Sequence, residues 1–506
     1  MRRFLFLPAL FALLPFFAQA RDNPDWWAVA LSKAQLPAEY MFDTINTTCR
    51  LITEKSLKPV SAKDFAFSTV KSLSTIDQKI VARIDGKRVL ILADDKILKS
   101  FRAPEDNNCT EWSKLILAVL AEARPHSQKT KDADEEELFN ILINAALGSI
   151  DSYSHYISPD PAELEPLKKP AGLGISYRRI GKYLEITDII PNGATSHTDL
   201  AIGDRISAIN GKTITDLSRV QILNLLRGEA GTEVFLTLRK DGKVQTRTVT
   251  RAPVSASSVT YFFDDKDSLM TIKISAFTEK TVSGLKATLK QARRKNAAGL
   301  IIDLRGNTGG LLKEAVLAAD MFLPEDLLII KTAGRHKDTQ HQYISTFQKR
   351  RPVYPIAVLI DAQTASSAEF FAGVLQEYRH AIVIGTPSYG KSVIQANETL
   401  PSGGEIYLTW AQYYLPSGFS PQGYGIYPNI CTSNRTLRDI DRLIVQTNIE
   451  PWRKGTDAER RKGLEICPRQ TRKDNPLENE TARLFLLDQE RYENALSYFS
   501  LDTMQN

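Results

Sequence analysis

Ser366 and Lys391 stand 25 positions apart, and their types allow two kinds of chemistry. Lys391 belongs to residues 385–392, GTPSYGKS, which follow the apolar run AIVI (381–384) and fit the phosphate-cradling pattern G-x-x-x-x-G-K-[ST]. In that reading the lysine and the loop N–H groups hold a nucleotide. In the other reading the lysine is an amine base. A serine hydroxyl is a poor nucleophile until a base takes its proton, and a neutral amine can do so when its surroundings lower its pKa. From a reference value near 10.4 to the useful range near 7 to 8 is about three units, or about 4 kcal/mol, which an apolar, partly dry pocket can supply. The strand 381–384 and Tyr389 are the expected walls.

The residues after the lysine separate the readings. A phosphate loop must open a helix, whose N-terminal N–H groups bind the anion. Residues 392–397, SVIQAN, have no helical period and soon reach PSGG (401–404), so they read as a strand and a hairpin. The amine base is the better reading, and no nucleotide is expected.

Ser366 lies in TASSAE (364–369), just before the helix-like 370–376. With Glu369 it also spells a capping box, S-x-x-E, in which the serine would be only a cap. Ser367 is a second candidate nucleophile. A developing oxyanion needs donors: the N–H of Ser367 at the helix start is one, and Gly309 or Gly310, in RGNTGG (305–310), supplies another. The two glycines are indistinguishable in sequence. His380 follows a probable helix end, where a cation suits the dipole, so it reads as structural. The remaining histidines have no metal-ligand spacing, and neither metal nor cofactor is expected.

The elements that must position these residues are α/β. GLIIDL (299–304), IAVLI (356–360) and AIVI (381–384) are apolar enough to be buried on both faces, and 285–294 has helical spacing. Strand, helix, strand over 356–384 argues for a parallel pair with a crossover helix. Upstream, 166–254 changes to short β-type runs with Gly and Asn between them, and a helix over 217–226. Residues 21–165 read as helical, with 135–147 the clearest segment.

Two resemblances follow. Residues 166–254 resemble a PDZ domain of the permuted bacterial kind, through GLGI (172–175), IPNGA (190–194), LAIGDRI (200–206) and ING (209–211). A Gly-rich loop followed by a strand offers an anion nest and an edge for an extended peptide. The peptide-binding residues it implies are Gly172, Leu173, Gly174 and Ile175, and its ligand a free C-terminus. The chain as a whole resembles the C-terminal processing peptidases, tail-specific serine proteases with a PDZ domain and a Ser-Lys dyad. The carriers are TASSAE (364–369), GTPSYGKSVIQ (385–395), DLRGNTGG (303–310) and LGSID (147–151). The resemblance implies a ClpP/crotonase-like α/β core over 255–430 with the β-rich PDZ domain inserted, between helical N- and C-terminal regions. It favours Ser366 over Ser367 as nucleophile, with Lys391 as base. Gln395 is carried over as the residue that orients the lysine. In a fully extended strand, Cα atoms four residues apart are about 13 Å apart, so direct contact requires a bend.

The rest of the chain sets the compartment. Its 506 residues suggest two to four domains, and 42% apolar with 25% charged residues is an ordinary globular balance. A net charge of +6, without a dense basic block, gives no support to nucleic-acid binding. Arg2-Arg3, the apolar residues 4–17 and Ala18-Gln19-Ala20 have the three regions of a signal peptide over 1–20, so a periplasmic or secreted protein is expected. Cys49, Cys109, Cys431 and Cys467 allow three pairings. Cys49 with Cys109 and Cys431 with Cys467 are expected, because each pair falls within one presumed module. Residues 431–506 carry no chemistry; docking on the core, a dimer contact and a simple cap all stay open, as does a homo-oligomer or an adaptor partner. The function expected is an exported serine endopeptidase that captures protein substrates by their C-terminal ends. The alternative is a non-catalytic PDZ peptide-binding protein with an inactive core.

Overall fold

The computed structural model describes residues 38–159, 171–189, 194–217, 219–240, 243–253, 258–346, 353–442 and 450–497. The expected signal peptide lies outside them, as does the expected PDZ turn at 190–193. The chain divides into two compact units, 1–159 with 395–410, and 160–394 with 411–506.

In the first unit, helices Ala38–Lys55, Ala62–Lys71, Cys109–Ala123 and Glu135–Ile150 share a core that includes Ile45, Phe65, Trp112, Leu117, Phe139 and Leu142. The sequence predicts helices here, yet they enclose a three-stranded antiparallel sheet, Ile80–Asp85, Arg88–Ala93 and Lys96–Arg102. Its turns explain the difference. Asp94 and Asp95 both have positive φ (48° and 62°), the primed two-residue turn that matches strand twist, and Gly86 (φ 56°) serves the other hairpin. Cys49 and Cys109 lie at disulfide distance, Cα–Cα 5.7 Å.

The second unit contains a β-rich module and an α/β core. The module's sheet has the order Lys243–Thr250, Glu233–Lys240, Arg205–Ile209, Tyr183–Ile189, Ile175–Ile180, with helix Arg219–Leu226 packed on it through Ile222 and Leu226. Ala252–Pro253 pairs with Ala171–Gly172, so the two ends of the module meet and it can be spliced into another domain.

The α/β core is built on a sheet of order Val259–Asp264, Leu269–Ile274, Gly299–Asp303, Ile356–Ile360, Ile382–Gly385, Ile430–Cys431. The first pair is antiparallel and the others are parallel, as the strand–helix–strand pattern predicts. Side-chain alternation feeds two separate cores. Leu300, Ile302, Val358, Ile360 and Val383 pack with helices Thr281–Arg294, Leu312–Asp320 and Ser367–Glu377 on one face. Ile301, Ala357, Leu359, Ile382 and Ile384 face Ala482, Phe485, Leu486 and Tyr492 of helices Pro476–Leu486 and Gln489–Ser497. The C-terminal region therefore docks on the core, one of the placements its sequence left open.

One buried ion network fixes that docking. Arg305, at the end of strand Gly299–Asp303, donates to both oxygens of Asp303 (2.9 and 2.8 Å), to Glu478 (3.2 Å) and to the carbonyl of Asn475 (2.6 Å). Glu478 also accepts from Arg472 (2.7 Å) and Thr432 (2.6 Å). Cys431 and Cys467 lie at disulfide distance nearby in sequence, Cα–Cα 6.0 Å. Because Asp303 would lose its ion partner in a buried place while Glu478 would keep only Arg472 as an ion partner among the described residues, Arg305→Ala is expected to destabilise the second unit by about 3–5 kcal/mol, measured by urea unfolding. An unchanged midpoint would refute this.

Candidate active site

The carboxyl ends of the parallel strands carry the residues singled out in sequence, the usual place for a site on such a sheet. After Gly299–Asp303 the chain turns through Asn307, whose Nδ2 donates to the carbonyl of Ile274 (2.8 Å) and whose Oδ1 accepts from the N–H of Gly309 (2.8 Å). Gly309 (φ 103°) abuts the next strand's loop, and a Cβ there would lie 2.8 Å from Ser366 Cβ. A Cβ on Gly310 (φ 136°) would meet the Phe277 carbonyl oxygen at 2.2 Å. Only glycine lets this loop touch both neighbours.

Ser366 begins helix Ser367–Glu377 in a strained conformation, φ 56° and ψ −120°. A non-glycine residue held there costs about 1–3 kcal/mol and persists only when its surroundings enforce it. The enforcers are on both sides of the residue. Its N–H donates to Glu369 Oε2 (2.8 Å), and its carbonyl accepts from the Tyr413 hydroxyl (3.2 Å). The N–H of Glu369 in turn donates to the carbonyl of Ser366 (2.9 Å), so the two residues cap the helix start reciprocally. Glu369 thus caps the helix through the N–H of Ser366. The hydroxyl of Ser367 donates to the Gly310 carbonyl (2.9 Å) and so ties the glycine loop to the helix start.

Glu369 is fully buried and does more than cap. Its Oε1 accepts from Ser388 Oγ (2.5 Å) and from the N–H of Gly390 (2.7 Å); its Oε2 accepts from Ser366 N–H and from the N–H of Lys391 (2.8 Å). Burial pushes its carboxyl above the usual range, opposed by these donors. The sheer burial of Tyr413, with Glu369 beside it, raises its phenol too. One carboxylate thereby links the backbone of Ser366 to that of Lys391. The lysine loop is also clipped directly to the serine loop by Tyr389 N–H to the Thr364 carbonyl (2.9 Å).

These bonds bear on the phosphate-loop reading. No helix follows Lys391; strand Val393–Thr399 does. The N–H groups of Gly390 and Lys391, which a phosphate would need, already hold Glu369. Tyr389, expected as a pocket wall, is 50% exposed.

The structure brings Ser366, Ser367, Gly309, Gly310 and Lys391 together through these bonds. Gln395 belongs to the first unit, where its Nε2 donates to the carbonyl of Tyr153. It also separates the glycines. The N–H of Gly309 is taken by Asn307, while those of Gly310 and Ser367 have no hydrogen-bond partner among the described residues. In the β-rich module, Gly172 pairs with Ala252, the Leu173 carbonyl accepts from the N–H of Thr195 (3.0 Å), Gly174 has φ 70° and Ile175 opens the last strand of the sheet. Glu369 was read in sequence only as a cap, and Ser388 and Tyr413 went unread because their partners are remote in the chain; Asn307 went unread although one of its partners, Gly309, is two residues away.

Comparison with known proteins gives the family. The pattern of peptidase family S41 matches residues 268–432, and that of the PDZ domain residues 171–250. The chain is 33% identical over 316 residues to the carboxy-terminal-processing protease of Bartonella bacilliformis, covering 61% of this chain and 72% of that one. This chain belongs to peptidase family S41. The carboxyl-terminal-processing peptidase 1, chloroplastic, of Arabidopsis thaliana is 28% identical over 312 residues, 60% of this chain and 63% of the relative. Among solved structures, a photosystem II D1 C-terminal processing protease is similar over 58% of this chain and 82% of its own, with 22% identity and a TM-score of 0.42. The S41 member thus combines a protease domain with a PDZ domain, as its motifs suggest.

Replacing Glu369 by Gln keeps the shape and sets an amide NH2 against N–H donors. The expected result is a loss of about 2–4 kcal/mol of stability, since each orphaned buried donor costs about 1–3 kcal/mol. Thermal or urea unfolding of Glu369→Gln measures it, and a loss below about 1 kcal/mol would contradict the hub geometry.

Proposed function

We propose that this S41 peptidase is an exported endopeptidase in which Ser366 is the nucleophile and Lys391 the general base. The observation that carries the reading is the Glu369 carboxylate, which holds the backbones of Ser366 and Lys391 on one group. The neutral amine of Lys391 takes the hydroxyl proton as Ser366 Oγ attacks the scissile carbonyl carbon. The carbonyl electron pair moves to its oxygen, which accepts hydrogen bonds from the N–H groups of Gly310 and Ser367. Collapse breaks the C–N bond, and the protonated lysine returns the proton to the leaving amine. Water then repeats the sequence on the acyl-enzyme. Gly309, whose N–H is engaged, serves by shape. Gln395 keeps the orienting role that family resemblance gives it.

The PDZ domain captures the free C-terminus of a protein at Gly172, Leu173, Gly174 and Ile175, and a peptide extends along strand Ile175–Ile180. Two cysteine pairs at disulfide distance support an oxidising compartment, in line with the signal-like residues 1–20. Among the described residues no helix is long and apolar enough to cross a membrane.

Cleavage of an unfolded protein by the unsubstituted chain, Ser366→Ala and Lys391→Ala tests the dyad. Both substitutions are expected to lower kcat by at least about 1,000-fold, in the range seen for nucleophile–base pairs. Cleavage retained by Lys391→Ala sinks the mechanism, and no cleavage by the unsubstituted protein favours a non-catalytic peptide binder. Because the reacting lysine is neutral, kcat/KM should rise with pH along a limb of unit slope that Ser367→Ala leaves in place. A pH-independent kcat/KM over that range would argue against an amine base.

A further inference from the structure

The segment 467–472, beyond the matched peptidase region, crosses the carboxyl ends of two parallel strands. Its Gln470 carbonyl accepts from Ala362 N–H (3.0 Å) and Thr386 Oγ1 (2.8 Å), and the N–H of Arg472 donates to Asp361 Oδ2 (2.9 Å). Cys467, at its start, is paired with Cys431 at the end of the sheet. Within it, half-buried Arg469 sends Nε to the carbonyl of Ser388 (2.8 Å) and Nη2 to the carbonyl of Gly423 (2.9 Å).

Those two carbonyls belong to the two loops that enclose the lysine's backbone. Ser388 spends its hydroxyl on Glu369 and its N–H on the Ile426 carbonyl (3.1 Å). Gly423 N–H donates to the Gly390 carbonyl (2.9 Å), immediately before Lys391. The contact is close: a Cβ on Gly390 would lie 2.9 Å from Gly423 backbone, and one on Gly425 would lie 2.3 Å from the Ser388 carbonyl oxygen. Trp452 Nε1 holds the same loop from outside through the Gly425 carbonyl (3.0 Å). Burial pulls the Arg469 guanidinium below its usual range, opposed by the Glu369 carboxylate. A planar guanidinium can grip two carbonyls at a fixed spacing, which a lysine ammonium cannot.

We propose that Arg469 is a positioning residue for Lys391: it clamps loops 386–391 and 421–426 together and so sets where the base stands relative to Ser366. The inference rests on the Ser-Lys reading for its effect on catalysis, but not for its effect on the loop. A displacement of about 1 Å at a reacting group can cost about 100-fold in rate.

The test uses the full mature chain carrying Arg469→Ala or Arg469→Lys, with a fluorogenic peptide as substrate. Arg469→Ala should lose about 100-fold in kcat with KM within about twofold, and millimolar guanidinium chloride should restore activity saturably. The same guanidinium should not rescue Arg469→Lys, whose side chain fills the site. Hydrogen exchange provides a readout independent of activity: amides of 386–391 and 421–426 should exchange at least about tenfold faster in Arg469→Ala, with those of the PDZ domain unchanged. Unaltered exchange in those loops, or undiminished kcat, overturns the proposal; so does a loss of kcat in a folded variant that guanidinium leaves unrepaired. If the unsubstituted protein cleaves nothing, the Ser-Lys reading fails, and the exchange comparison still decides the clamp.

Discussion

A fully buried carboxylate surrounded by four donors from two separate stretches of chain is the constraint on which this site depends. Glu369 cannot give up any of the four without leaving charge uncompensated in a buried place, so the bonds act as a set. Its geometry converts one residue into a ruler between two loops: the strained serine turn on one oxygen, and the lysine turn shared by both. Strain at Ser366 survives because the same group that enforces it is locked from the other side by Ser388 and Gly390.

The sheet beneath explains why such a ruler holds its length. Each central strand is covered on both faces, and alternation along Gly299–Asp303, Ile356–Ile360 and Ile382–Gly385 divides the side chains between two cores. Slipping a strand by one residue would exchange the two sets, so register is tightly specified and the loops at the strand ends inherit that precision. Glycines 309, 310, 390 and 425 then let backbone meet backbone where any side chain would obstruct it.

Much of this is legible in sequence, for physical reasons. Strands covered on both faces must be continuously apolar, which is why three of them stand out, and the absence of a helical period after Lys391 argues in the letters themselves against a phosphate cradle. The PDZ and S41 motifs are ordered and local enough to be read. The three-stranded sheet of the first unit is less so, since its strands are short and its hairpins rest on an Asp-Asp turn and one glycine. Gly309 and Gly310 are alike as letters and differ only through Asn307. The partners of Glu369 from the lysine loop, and Tyr413, are set by folding of distant segments. An amphipathic pattern over 478–495 says that a face is buried, but not that a sheet lies under it.

The crossing of the strand ends by 467–478 also concerns the order in which the molecule becomes complete. Every letter of the S41 pattern has been synthesised by residue 432, yet Arg469 and Glu478, which grip the lysine loop and the end of strand Gly299–Asp303, come later. During synthesis a chain can hold its whole motif set and still want the side chains that brace it. A stretch synthesised after the motifs closes the frame around residues made before it.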